Sequence, residues 1–279
     1  MIQLYNDVSF ETSRLITKSY STSFSRAVSL LSSEMREAVF SIYGFVRIAD
    51  EVVDTFHDHD KETLLNEFER DLYDALKHNI SLNPVLHSFQ LTIKKYDIED
   101  HLIQAFLKSM KTDLLKSDHL TKPETDEYIY GSAEVVGLMC LKVFVQGDKE
   151  LYKKLELSAR RLGAAFQKVN FLRDIKNDTE ILKRSYFHEI AGKKIDENTK
   201  KEIVRDIEDD FSFAITGLKL LPHSSRLGVL IAYYYYRHLL RILKRTHSSK
   251  LMEKRIRVPD YIKILLLVKA WVFNNLNIV

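Results

Sequence analysis

The chain has 279 residues, 42 basic against 39 acidic side chains and a net charge of +3. It is long enough for one large or two modest domains and too evenly charged for a strong polyanion binder. Glycine and proline together supply 12 residues (8 + 4), about 4% where ~12% is average, so the turns that sheet-rich folds need every ~8–12 positions are missing. The single cysteine, Cys140, excludes an intramolecular disulfide and any cysteine-based metal cluster, and points to a reducing compartment.

The first twenty residues carry Asp7, Glu11 and Arg14 with no apolar stretch of a secretory signal. From there almost everything repeats with a period of 3.6 residues. A helix over Glu34–Thr55 carries Val39, Ile42, Tyr43, Val46, Ala49 and Val53 on its apolar side, with Ser32 or Ser33 as N-cap. Leu64–Leu76 is amphipathic, a helix restarts at Pro84, and Asp100–Leu115 follows. After a polar break at Ser117–Asp126, Tyr128–Val145 is uncharged nearly all round and rich in small residues, the mark of a central helix. Leu151–Thr179 reads as one long helix, Lys183–Thr199 as irregular, and Lys200–Leu221 and Leu227–Arg245 as helices. A last helix follows Pro259, and its longest uninterrupted apolar run, Ile264–Val268, is far short of the ~20 residues needed to span a bilayer. With no linker, repeat or shift in composition, residues 1–279 are expected to form one all-α domain.

Twenty aspartates in 279 positions would place about one or two pairs at i, i+4 by chance; four occur. Asp206/Asp210 sits among Arg205, Glu208 and Asp209 and reads as a solvated face. Asp54/Asp58 runs into the polar stretch His57-Asp58-His59-Asp60, an exposed helix end. The other two lie on faces that otherwise look buried. Tyr43, Arg47, Asp50 and Asp54 share one helical face; Gly163, Gln167, Asn170, Asp174 and Asp178 share another. Carboxylates one turn apart repel unless a cation lies between them. Oxygen-only pairs suit Mg²⁺, which shares its remaining positions with water and substrate phosphates. The arginines a diphosphate would need are present in Arg47, Arg173, Arg237, Arg241, Arg255 and Arg257, with Lys176 beside them.

These motifs resemble the squalene/phytoene synthases, the head-to-head prenyl synthases, from about Ser19 to Val268. The resemblance rests on Tyr20–Phe24 (YSTSF), on the Arg-x-x-Asp-x-x-x-Asp core of Tyr43–Asp54, and on Tyr128–Gly137 (YIYGSAEVVG). Its most specific part is Gln-x-x-Asn-x-x-x-Asp-x-x-x-Asp over Gln167–Asp178. It implies a single-domain helix bundle around a central apolar cavity, in which Asp50, Asp54, Asp174 and Asp178 bind metal ions, with Asn170 and Gln167 supporting the second site. By the same match Arg47, Arg173 and Arg255 bind diphosphate, Tyr128 lies near the reacting carbons, and Tyr236 near the diphosphates. Tyr20, where some farnesyl-using relatives carry His, falls among the substrate-binding positions, and Gly131, Ala133, Val136 and Gly137 line the hydrocarbon tunnel. Glu134 stands where many members have Gly, and Glu51 replaces an Asp that often follows the first motif.

The resemblance implies Mg²⁺ (or Mn²⁺) chemistry on two identical prenyl diphosphates. The bottom-up requirements agree: ionising an allylic diphosphate needs no protein nucleophile, but the cation needs dry apolar walls and aromatic faces. The Ile42–Val53 and Gly131–Leu141 segments look most like bacterial phytoene synthases. The expected reaction is therefore condensation of two geranylgeranyl diphosphates, through a cyclopropylcarbinyl diphosphate, to phytoene without NADPH. A farnesyl-based product is the alternative and a terpene cyclase a remote one. No nucleic acid is expected as a partner. The expected location is the cytoplasm, with peripheral contact to the inner face of a membrane left open: the alternating basic and apolar residues of Arg255–Lys269 read first as a core helix with solvated lysines and second as such a contact.

Overall fold

The computed structural model describes residues 1–115, 121–180, 184–190, 195–253 and 255–276. The chain is 83% helical, and no β-strand occurs among the described residues. The helices are α1 (Ile2–Tyr20), α2 (Thr22–Val28), α3 (Ser33–Asp54), α4 (Lys61–His78), α5 (Pro84–Tyr96), α6 (Asp100–Leu115) and α7 (Lys122–Ile129). A wide π turn at Tyr130–Glu134 leads into α8 (Val135–Val145). It is followed by α9 (Lys149–Glu180), α10 (Glu197–Leu218), α11 (His223–Arg245), α12 (Ser248–Leu251) and α13 (Asp260–Asn275).

Local chemistry sets these limits. The Asp60 carboxylate accepts from Thr63 N–H at 3.0 Å, Asn83 caps the Pro84 helix through Val85 N–H, and Asp196 accepts from Asn198 and Thr199 N–H. Thr121 and Glu124 form a capping box, so α7 starts at Lys122 with Pro123 in its first turn, six residues before the expected start at Tyr128. The helix ends at Asn79, Asp97 and Gln146 take left-handed backbone.

The 32 residues of α9, about 48 Å at ~1.5 Å per residue, run through the bundle between α8 and α10. The other central helix, α3, packs against α1, α5 and α8, with Phe45 stacked on Phe89 (ring centroids 4.2 Å) and Phe68 (5.5 Å). Lys122–Val145 is apolar and long enough to cross a membrane by composition, yet half of that stretch is buried and it packs between α6 and α9. Glycines permit this closeness. A Cβ on Gly131 would meet the Ala105 carbonyl oxygen at 2.6 Å, and one on Gly163 the Ala133 carbonyl oxygen at 2.7 Å.

Two regions depart from the sequence reading. No amphipathic stripe announces α1, because its buried face is Ser9, Ser13 and Thr17. The Ser13 hydroxyl meets that of Ser88 at 2.8 Å, and Gly44 leaves α3 room to lie against Ser13. The second departure is the Asp206/Asp210 pair, which is not a solvated face. Asp210 follows Ile207 by three residues and precedes Ala214 by four, so it falls within the buried stripe and is 1% exposed. Its carboxylate accepts from Arg161 at 2.8 Å and from Lys168 at 2.7 Å, while Asp206 at the edge also pairs with Lys168. Burial works against the charge on Lys168, but Asp210 and Asp206 outweigh it and hold the ammonium above its usual range.

The contact at Gly163 is backbone against backbone and has no side chain to move aside. Gly163→Ala is expected to cost ~1–3 kcal/mol, read from the urea midpoint of unfolding; an unchanged midpoint would contradict this packing.

Candidate active site

A cavity of ≈ 480 Å³ runs between α2, α3, α8, α9, α10 and α11. Its walls are mostly apolar and include Val39, Ala133, Val136, Gly137, Leu162 and Leu218. Polar groups gather at the end where α3 and α9 carry their aspartates: Tyr20, Tyr43, Arg47, Gln167, Asn170, Arg173, Tyr236 and Arg255. Helical register puts them there, because Arg47 lies one turn before Asp50, and Gln167, Asn170 and Asp174 follow one another along one face of α9.

Each acidic stripe is held by arginine. On α3, Arg47 Nη1 donates to Asp50 Oδ2 at 2.5 Å, and its other arm reaches Glu51. The Arg47 guanidinium lies 4.3 Å over the Tyr20 ring, and Tyr20 donates its hydroxyl proton to Glu51 at 2.9 Å. Burial works to raise the Glu51 carboxyl, but donors from Tyr20, Thr55 and Arg47 keep it below its usual range. On α9, Asp174 is gripped by Arg173 (Nε 3.0 Å, Nη2 2.5 Å) and by Arg255 (Nε 2.7 Å, Nη2 3.1 Å). Asn170 Oδ1 accepts from the Tyr236 hydroxyl at 3.2 Å, Phe166 stacks on Tyr236 at 4.1 Å, and Gln167 donates to Ser132 at 3.4 Å.

The two stripes face each other. Asp54 on α3 raises the carboxyl of Asp178 on α9 as it raises that of its own neighbour Asp50. Burial is the larger cause in both: Asp50 is pushed up to about 7 and Asp178 to about 8. Asp178 makes no side-chain hydrogen bond among the described residues, and no three His, Cys, Asp or Glu side chains among them come together as a complete metal shell. Paired carboxylates that repel, short of a full ligand set, suit a cation that completes its shell with water and diphosphate oxygens. The residues present fit Mg²⁺ on those terms.

Sequence reasoning missed the residues that tie the stripes together. Arg184, in the stretch read as irregular, donates to Asp54 at 2.6 Å, to the Asp113 backbone oxygen at 3.2 Å and to the Tyr186 hydroxyl at 3.2 Å. No periodicity marks it. Asp113 had a signal: it continues the buried register of Phe106 and Met110 on α6. Its carboxyl is pushed up to about 7, by burial first and against the pull of Arg184.

Two expected positions differ. The Tyr128 hydroxyl donates to Asp113 at 2.6 Å and its ring stacks on Tyr186 (5.0 Å), so Tyr128 is buried behind the acidic mouth and is not part of the cavity wall. Gly131 faces α6, not the cavity, because the π turn rotates it away from Ser132 and Ala133. Of the expected cationic residues, Arg47, Arg173 and Arg255 reach the cavity; Arg237 lies against Tyr233 and Phe211.

The raised Asp178 has a measurable consequence. A folded-state value of about 8, above the ~3.9 of an unfolded Asp, means the native state holds an extra proton between these values. That contribution to stability is full below about pH 4 and is lost as pH rises through 8. With chelator present, the stability of the wild type relative to Asp178→Asn should therefore fall between about pH 5 and 8.5, as read from urea midpoints. The subtraction removes His87 and His238, whose imidazoles burial depresses. A difference independent of pH would contradict the half-buried, carboxylate-facing position of Asp178.

Both the fold and the sequence are similar to those of known proteins. A crystal structure of a dehydrosqualene synthase in complex with ligand shares the fold with a TM-score of 0.84 at 23% identity, covering 98% of each chain. A squalene synthase from Alicyclobacillus acidocaldarius gives 0.74 at 19% identity, covering 87% of this chain and 95% of that one. By sequence, the chain is 24% identical over 260 residues to the 4,4'-diapophytoene synthase of Staphylococcus haemolyticus (84% of this chain, 87% of the relative). It is 24% identical over 288 aligned positions to the phytoene synthase of Arthrospira platensis (94% and 92%). The family model described as squalene/phytoene synthase matches residues 17–261, so the chain belongs to the squalene/phytoene synthase family and is a prenyltransferase of the head-to-head kind.

Proposed function

We propose that the protein condenses two geranylgeranyl diphosphates head to head into phytoene through a cyclopropylcarbinyl diphosphate. The observation that carries this reading is the facing of Asp50/Asp54 and Asp174/Asp178 at the arginine-lined mouth of one long apolar cavity. Along α9 that cavity reaches from Leu155 to Arg173, about 27 Å at ~1.5 Å per residue, which favours the longer prenyl chain. The smaller farnesyl substrate is the second reading, favoured by the diapophytoene synthase among the relatives.

Asp50, Asp54, Asp174 and Asp178, with Asn170, would hold Mg²⁺ (or Mn²⁺). The ion, when bound, offsets the diphosphate charge and makes it a competent leaving group. Arg47, Arg173 and Arg255 exchange their present carboxylate partners for diphosphate oxygens and fix the headgroups. The rings of Phe24, Tyr43, Phe166 and Tyr236 line or border the adjoining wall and face the allylic cation, which the apolar walls shield from water. Each of the two ionisations is closed by loss of one proton, giving the C40 hydrocarbon and two diphosphates with no reductant. Tyr128 and Asp113 position the acidic mouth from behind. A hydrocarbon product has to leave into lipid, and the protein works in the cytoplasm against the inner face of a membrane.

Purified protein with Mg²⁺ and geranylgeranyl diphosphate should yield phytoene without NADPH, identified by mass and absorption spectra. A hydrocarbon from farnesyl diphosphate alone would shift the assignment to the C30 product, and none from either substrate would overturn it. Asp50→Ala and Asp174→Ala should each lower kcat by at least about 10²–10³-fold, and chelation should stop turnover.

A further inference from the structure

We propose that α13 is a lipid-docking helix that lies in the plane of an anionic membrane surface beside the mouth of the cavity. The helix is turned inside out. Its buried side is Ala270 and Asn274, the latter accepting from Arg226 Nε at 2.9 Å and contacting His223 at 3.0 Å. Its outward side carries Tyr261, Ile264, Leu265, Val268 and Trp271, each 51–66% exposed. At ~100° per residue these five fall within about 120° of arc, a continuous apolar stripe where a solvated helix would be polar.

Charge and position choose the occupant. Residues 250–276 hold six basic side chains (Lys250, Lys254, Arg255, Arg257, Lys263, Lys269) and two acidic ones (Glu253, Asp260). Their net +4 exceeds the +3 of the whole chain, leaving −1 elsewhere. Lys250 and Arg257 have no acidic partner among the described residues. Tyr and Trp at the ends of an apolar stripe with Lys269 along its edge match the water–lipid boundary. A stable dimer buries ~800 Å² per partner, whereas a helix of 16 residues is ~24 Å long and ~10 Å wide and offers about 240 Å². The stripe is also tied to the site: Arg255 lines the cavity and pairs with Asp174, and α13 begins five residues later. The other outward apolar row, Leu4, Val8 and Leu15 on α1, is broken by Glu11 and Lys18 and has no such link.

The inference rests on the proposed function in one respect, since a hydrocarbon product is what makes lipid beside the mouth useful. Its test does not. Trp271 is the chain's one tryptophan, beside 14 tyrosines, so emission excited beyond the tyrosine absorption band reports α13 alone. Adding vesicles of phosphatidylcholine with phosphatidylglycerol to the full chain should shift its emission to the blue, and brominated lipid should quench it. Phosphatidylcholine alone or raised salt should weaken both effects. Ile264→Ser with Leu265→Ser should weaken partitioning by at least about tenfold while leaving the helical circular dichroism and turnover of detergent-dispersed substrate unchanged. Trp271 emission unaltered by anionic vesicles would overturn the proposal. So would a lipid-free dimer that the same double variant dissolves. Hydrocarbon synthesis by a protein whose Trp271 stays in water would sink this inference alone; lipid binding without hydrocarbon would sink the functional reading instead.

Discussion

The repulsion between carboxylates brought together where α3 and α9 end is the constraint on which the rest of the molecule depends. Asp50 and Asp54 on one helix and Asp174 and Asp178 on the other are two turns' worth of like charge drawn into a partly buried mouth. In isolation that arrangement would push the helices apart. The protein holds it with Arg47, Arg173, Arg255 and Arg184, each bound to one of the acids. Asp178 has none of these as a hydrogen-bonded partner, and burial together with Asp174 and Asp54 pushes its carboxyl up to about 8. The arginines offset that repulsion, and their fork geometry is of the kind that also matches phosphate oxygens.

The scaffold is built around that mouth. α3 and α9 are continuous and stiff, and they are locked to their neighbours by close approaches at Gly44, Gly131 and Gly163. An ionic cluster of Lys168, Arg161, Asp206 and Asp210 fixes α9 to α10, with Lys168 next to Gln167 in the chain. Glycine lets α9 meet the backbone before α8 at Gly163, while Ala133, Val136 and Gly137 line the apolar cavity, and the π turn sets which of Tyr130–Glu134 face it. Stability and cavity shape are thus coupled: side chains large enough to fill the cavity would also have to displace backbone.

Much of this was legible in the sequence. The 3.6 period marks the long helices from α3 onward, though not the start of α7 or the short α12, and Asp100–Leu115 coincides with α6. The spacing of Arg47, Asp50 and Asp54 and of Gln167, Asn170, Asp174 and Asp178 brought out the faces that meet at the mouth. What stayed hidden has physical reasons. α1 packs through serine and threonine, so hydrophobic periodicity points the wrong way. Asp210 carries a charge inside a buried stripe, where the neighbouring Asp209 and Glu208 suggested solvent. Arg184 and Tyr186 reach the site from a segment without periodicity, and their role exists only through contacts across 130 residues of chain. Tyr128 is displaced from the cavity wall by the Asp113 carboxylate, a partner that sequence distance conceals.

The central claim is that both stripes serve one cluster of cations shared with the substrate. It is tested most directly by anomalous diffraction from crystals grown with Mn²⁺ and a non-ionisable prenyl diphosphate analogue. The account predicts anomalous peaks within ~2.0–2.3 Å of carboxylate oxygens from both α3 and α9, bridged by diphosphate oxygens, with Arg47 and Arg255 turned from their aspartates to the phosphates. Ions bound by one stripe alone, or an analogue seated away from the mouth, would contradict it.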